Sequence, residues 1–191
     1  METVFMIIVG VSLAASCGFR VFVPMLVMSI AVKAGQLELA DDWIWIGSWA
    51  ALITFSVASL TEVAGYYIPW LDNLLDTIST PAAVVAGTIA TAACVSEMSP
   101  VFQWSLAIIA GGGVAGTVQS TTVFARGASS VATGGFGNFV VATFELMMSF
   151  VLAFLAVVAP IVAAVMLCVV GFFVVRRVLR RRAKRAVPLK A

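Results

Sequence analysis

Four charged residues stand where charge is expensive. Arg20, Glu62, Arg126 and Glu145 each lie within or at the edge of a long apolar run. A charge at the centre of a membrane helix costs about 2.5–3.5 kcal/mol on insertion scales. Arg20 has no charged neighbour back to Glu2 or forward to Lys33, so it cannot easily reach either surface. It requires a carboxylate, and Glu145 or Glu62 supplies one. An Arg20–Glu145 or Arg20–Glu62 pair has two readings: a polar substrate or proton site at a helix break, or a lock on helix register. Arg126 falls at the expected inner end of an apolar segment, where it anchors topology or touches a substrate.

Asp72 and Asp76 are four apart and share one helix face. With Glu62 they could offer oxygen ligands to a divalent cation; the plainer reading is a solvated face. Other chemistry is thin. Histidine is absent, and Cys17, Cys94 and Cys168 stand singly in apolar runs, as buried filler does. No zinc or redox spacing, no cofactor and no nucleophile–base pair is expected, so the chain does not read as an enzyme.

The elements that must hold these residues are membrane helices. The chain has 191 residues, 62% hydrophobic and 10% charged, with a mean hydropathy of +1.13. A soluble domain is about 45–50% apolar and about 25% charged. A soluble globule, a disordered chain and a nucleic-acid-binding arm are therefore excluded. Apolar regions span 3–33, 43–60, 81–95, 101–124 and 139–175. The first and fifth, at 1.5 Å per residue, would reach roughly 46 and 55 Å against a hydrocarbon core of roughly 30 Å. Each must tilt, break, cross twice or re-enter. Gly18, Arg20 and Pro24 mark a break in the first, and Pro160 one in the fifth.

Eight of the eleven basic residues lie between Arg176 and Lys190, while the rest of the chain carries nine acids against Arg20, Lys33 and Arg126. Positive loops stay inside, so the tail is expected in the cytoplasm, where it also suits anionic lipid. The acidic stretch Glu38, Asp41, Asp42 is expected outside. The N-terminal segment has no basic n-region and reads as retained in the mature protein. With an inside N-terminus and one crossing for each of the first four regions, parity requires the fifth to cross twice. This gives an all-α polytopic helix bundle of about six membrane segments, with broken or re-entrant first and fifth runs. Residues 1–175 form one transmembrane domain and 176–191 a basic tail.

After Pro69 the apolar positions 71, 74, 75 and 78 have helical spacing, and Pro81 follows. A short amphipathic helix on the cytoplasmic interface is expected there. The Gly111–Gly116 stretch lacks the Lys and Ser/Thr of a phosphate loop, so it reads as close helix packing, as does the small face of Ala82, Ala83, Ala86, Gly87 and Ala90. Ala128–Gly135 reads as a small polar loop, cytoplasmic or dipping into the bilayer. Cys17–Val23 echoes Gly134–Val140 at four of seven positions, as a chance match or as a trace of the inverted repeats of transporters.

In order and spacing, Gly18-Phe19-Arg20 with Pro24, Glu62, Pro69 with Asp72 and Asp76, Gly112–Gly116, Arg126, Gly134, Asn138 and Glu145 resemble the bacterial membrane-protein family catalogued as domain of unknown function 4126. The resemblance covers roughly residues 5–165. It implies a membrane architecture, weight on Arg20 and Glu145, and a place for Asn138 in the pathway. It implies no activity. The chain departs from the family pattern with Gly65-Tyr66 in place of an Asp-Lys pair, Thr122 near a usual Lys, and Phe139 and Ala142 in place of Pro and Ser. Changed polar groups imply a lost or altered substrate. The expectation is a small inner-membrane transporter or channel-like protein for a small or anionic substrate, proton-coupled through a buried carboxylate and suited to homodimerisation. The alternative is a non-catalytic scaffold or partner subunit whose buried charges set packing.

Overall fold

The computed structural model describes residues 2–68, 71–96 and 98–185, without the side chains of 72, 73, 174, 175 and 177–185. It is all helix among those residues: α1 (Glu2–Cys17), α2 (Phe22–Lys33), a 3-10 stretch (Asp41–Gly47), α3 (Trp49–Tyr66), α4 (Leu71–Cys94), α5 (Pro100–Leu106), a π-helical stretch (Ala107–Gly112), α6 (Gly113–Thr133), α7 (Asn138–Val158) and α8 (Pro160–Arg185). Large apolar side chains face outward, among them Val101, Phe102, Ile109, Phe124, Val140 and Ile161. Inside stand small residues and charges, including Ala14, Ala15, Ala83, Ala93, Ala115, Arg20 and Glu145. That inside-out distribution is the signature of a bundle solvated by lipid, where close packing rather than hydrophobic burial holds helices together. Leu74–Cys94, Pro100–Thr133 and Asn138–Val158 are long and apolar enough to cross a membrane; a fourth span arises if Asp41–Gly47 and Trp49–Tyr66, bent by 63°, count as one.

The first apolar run does break, between Cys17 and Phe22. It then turns back. Glu2, Thr3 and Met6 line the same cleft as Glu38, Asp41 and Asp42, and the Ala40 N–H donates to the Ala93 carbonyl at 2.9 Å. The stretch before α1 and the stretch after α2 therefore sit at one end of the bundle, the acidic end. The first run is broken, as expected, and its hairpin path matches the re-entrant form of that expectation; the parity count, which took one crossing for residues 3–33, does not rest on this geometry. The reason is the tip: the buried Arg20, and α2's first N–H groups, find partners inside the protein and need not emerge.

Small residues let this hairpin in. A Cβ on Gly10 would lie 3.0 Å from Thr91 Cα, and one on Gly18 would lie 2.6 Å from the Ala115 carbonyl oxygen. One on Gly87 would lie 3.0 Å from the Gly111 carbonyl oxygen, so α4 meets the π-helical stretch backbone to backbone. The packing expectation for both small-residue stretches is met. Ser16 Oγ donates to the Ser149 carbonyl at 2.6 Å, and Ser149 Oγ returns a bond to the Ser16 carbonyl at 3.2 Å, tying α1 to α7.

Two further expectations change. Residues 71–78 do not form a separate helix: α4 runs through Pro81 to Cys94. A proline removes one N–H, a loss that a helix packed within a bundle tolerates. Ala128–Gly135 is not a loop either, since α6 continues to Thr133. The turn to α7 occupies only 134–137, where Gly134 and Gly135 have φ of +63° and +94°, values that glycine adopts without strain. The fifth run breaks at Ala159, as Pro160 implied, but α8 then passes residue 175 without interruption. Cys17 and Cys94 are buried filler, whereas Cys168 is exposed on α8.

Candidate functional site

The α1–α2 break delivers Arg20 to a cluster built by five helices. Its side chain is 0% exposed. Arg20 Nη2 donates to the Ala142 carbonyl at 2.9 Å and lies 3.7 Å from Glu145 Oε2. The expected Arg20–Glu145 pair is thus present. It is not exclusive, because Glu145 is held more tightly by Arg126. Arg126 Nε donates to Glu145 Oε1 at 3.0 Å and Nη2 donates to Oε2, a bidentate fork. Arg126 Nη1 completes the set on Asp76 Oδ1 at 3.0 Å.

Arg126 is therefore no interfacial anchor. It is buried at 3% exposure, because α6 continues two turns past it and α4 and α7 bring carboxylates to it. The solvated reading of Asp76 is corrected for the same reason. Leu74 and Ile78 on the same helix face outward, while the Asp76 carboxylate points in to Arg126. In a lipid-facing helix the polar stripe turns to the protein and the apolar stripe to the bilayer. The Asp72 side chain lies outside the described residues. Among those described, no three His, Cys, Asp or Glu side chains gather as metal ligands; of the candidate carboxylates described, Asp76 serves Arg126 and Glu62 accepts from two backbone N–H groups.

Glu62 does not meet Arg20 within ion-pair distance. Its Oε1 accepts from the Val21 N–H at 2.8 Å and its Oε2 from the Phe22 N–H at 3.0 Å. α2 has no side-chain cap of its own, so a carboxylate from α3 caps it instead. Carboxylates favour helix N-termini, where N–H groups lack partners and the helix dipole is positive. Glu62 thereby clamps the hairpin tip to α3. Asn138 lies apart, at the start of α7, with Nδ2 donating to Ser130 Oγ at 2.9 Å across the α6–α7 turn.

Sequence reasoning missed Tyr66. Both arginines lie over its ring, with Arg20 Cζ 3.8 Å and Arg126 Cζ 3.9 Å from the centroid. Its hydroxyl bonds Ser79 Oγ at 2.8 Å. An aromatic face attracts each cation. The available signal was α3 spacing: Phe55, Ser59, Glu62 and Tyr66 recur on one buried face.

In all, three carboxyl groups face two guanidiniums in this cluster. Arg20 Nε and Nη1 and the buried Ser59 Oγ have no hydrogen-bond partner among the described residues. The basic tail from Arg177 onward, with its expected anionic-lipid contacts, falls outside the described side chains.

No curated protein and no solved structure matches the chain. The family described as domain of unknown function, DUF4126, matches residues 7–180. That match takes in the hairpin, the charge cluster and most of α8. The chain is a membrane-helix protein, and it belongs to the DUF4126 family.

Proposed function

We propose that the protein moves a small polar or anionic solute across the cell membrane, with Arg20 as its binding group and a buried carboxylate as its proton carrier. One observation carries this reading. Arg20 is a fully buried cation at a helix break, and two of its three nitrogens lack acceptors among the described residues. A buried donor left unsatisfied costs about 1–3 kcal/mol, and more when charged. Natural bundles retain such a cost where the group works. Two features support the reading. A re-entrant hairpin tip within the bundle is the kind of broken helix transporters use for substrate sites. Both copies of the Cys17–Val23 and Gly134–Val140 echo fall at helix breaks, as an inverted repeat requires.

The proposal carries further parts. The basic C-terminus lies in the cytoplasm against anionic lipid of a bacterial inner membrane, the protein works as a homodimer, and it performs no covalent catalysis. The test is solute flux into proteoliposomes. Arg20→Ala and Glu145→Gln are each expected to abolish it, and unchanged flux in both removes the proposal.

A second reading is a membrane scaffold whose charges fix packing. The saturated half of the cluster favours it, since Arg126 is fully engaged by Glu145 and Asp76. It requires that Arg20→Met with Glu145→Leu keep the fold and the activity of any assembly. Loss of that activity in a well-folded double variant counts against it.

A further inference from the structure

Arg20 and Arg126 divide their counter-charges unequally. Arg126 takes both oxygens of Glu145 and one of Asp76. Arg20 is left with one carbonyl and a 3.7 Å share of Glu145. Glu62, the nearest carboxylate on α3, has both oxygens on the backbone of the hairpin tip. Every described carboxylate oxygen of Glu62 and Glu145 thus already accepts a bond. The unmet capacity on Arg20 is donor capacity.

Chemistry narrows what can meet it. A guanidinium has two open edges, Nε with Nη2 and Nη1 with Nη2, because the side chain fills the third. Nε and Nη1 therefore open onto different edges, and each edge is one acceptor short. A ligand with acceptor atoms on several sides, or an ion carrying water, satisfies both. A cation cannot meet the open donors of Arg20, which call for acceptor atoms. Polyvalent anions are opposed by the carboxylates of Glu145 and Asp76, which already share the two guanidiniums. A single negative charge entering such a cluster is offset when one carboxylate gains a proton.

The groups facing Arg20 from its neighbours are Glu62 and Tyr66 on α3, Tyr67 just beyond α3, Asp76 on α4 and Glu145 on α7, with Arg126 on α6 sharing Tyr66 and Glu145. Among the carboxylates, Asp76 and Glu145 are held by Arg126. Only Glu62, of the three, has no guanidinium within ion-pair distance among the described residues.

Deepening the transport reading, on which it rests for its biological sense, we infer that Arg20 binds a small inorganic monoanion together with water, and that Glu62 takes up the accompanying proton. The proton comes from solvent and lands on one Glu62 oxygen. That oxygen then stops accepting from Val21 or Phe22, so binding loosens the clamp on the hairpin tip.

The experiment uses the full chain in lipid nanodiscs with sodium nitrate as probe and sodium gluconate as the ionic-strength control. Nitrate is expected to raise the unfolding temperature saturably, with uptake of about one proton per chain in weak buffer. Sulfate is expected to have no effect. Arg20→Lys keeps the charge and loses the planar fork, and is expected to raise the half-saturating nitrate concentration about tenfold or more. Glu62→Gln is expected to keep nitrate binding and lose proton uptake. The inference is overturned by an absent nitrate effect on the wild-type chain, by sulfate binding as well as nitrate, by unchanged affinity in Arg20→Lys, or by unchanged proton uptake in Glu62→Gln. Should Arg20→Lys fail to fold, the wild-type nitrate and sulfate measurements still decide. Nitrate binding without nitrate flux removes the transport reading and leaves this inference standing. Flux of an uncharged solute without nitrate binding removes this inference alone.

Discussion

Tyr66 is the residue on which both guanidiniums rest. Tyr66→Phe keeps the ring and loses one hydroxyl bond to Ser79, so a loss of about 0.5–1.5 kcal/mol is expected. Tyr66→Leu also removes two cation–π contacts, each worth about 0.5–2 kcal/mol. Reversible unfolding in mixed micelles should rank leucine well below phenylalanine; equal losses would show that the cation–π contacts add nothing. Glu145→Gln leaves Arg126 and Arg20 undercompensated in a buried site, a change that typically costs about 3–5 kcal/mol. Glu62→Gln retains one acceptor oxygen for two N–H groups and is expected to cost about 1 kcal/mol, the scale of a helix cap. An unfolding series in which Glu62→Gln is the more damaging of the two would reverse the assignment of clamp and keystone.

At the level of elements, the hairpin can enter only because its neighbours are small. Gly18→Ala places a Cβ 2.6 Å from the backbone oxygen of Ala115, which cannot rotate away. A loss of about 1–3 kcal/mol is expected, the scale of overpacking. Gly113 stands in open space, so Gly113→Ala is expected to be neutral or stabilising, by up to about 1 kcal/mol in a helix interior. Melting curves of the two variants check the contrast, and similar behaviour would mean that hairpin packing is loose. Much of this level was legible. The break near Arg20, the break at Pro160 and the small-residue faces follow from proline and glycine chemistry alone. The continuation of α4 through Pro81 and of α6 to Thr133 did not, because local breaker and polarity signals cannot register the helix neighbours that override them.

For the whole molecule, the re-entrant hairpin dictates sidedness. Thr3 and Asp41 border one cleft, of about 550 Å³, and Phe136 lies at the α6–α7 turn. Single-cysteine variants Thr3→Cys and Asp41→Cys are expected to react with an impermeant maleimide from the same face of sealed vesicles. Phe136→Cys is expected to react from the opposite face. Labelling of Thr3→Cys and Asp41→Cys from opposite faces would contradict the hairpin and restore a crossing in the first run. The aromatic belt supports this arrangement. Trp43 and Trp104 lie 6.3 Å apart, and Lys33 Nζ lies 3.7 Å over the Trp49 ring, at the acidic end. Such side chains gather at a membrane interface.

Composition alone determined the solvent: a chain so apolar and so poor in charge must satisfy its backbone inside helices and turn its large side chains to lipid. It also required that Arg20 meet a carboxylate, because no charge survives unpaired at that depth. Which carboxylate, and on what terms, only the tertiary structure decided. Arg126 and Asp76 read as surface residues in the sequence, since each sits near a segment end. Packing of α4, α6 and α7 draws both into the interior, where Arg126 claims Glu145 first and leaves Arg20 short of acceptors. Hydropathy counts residues along one chain and has no access to which helix ends lie side by side. The direction of the first run was decided in the same way, by a clamp between Glu62 and two N–H groups some 40 residues away.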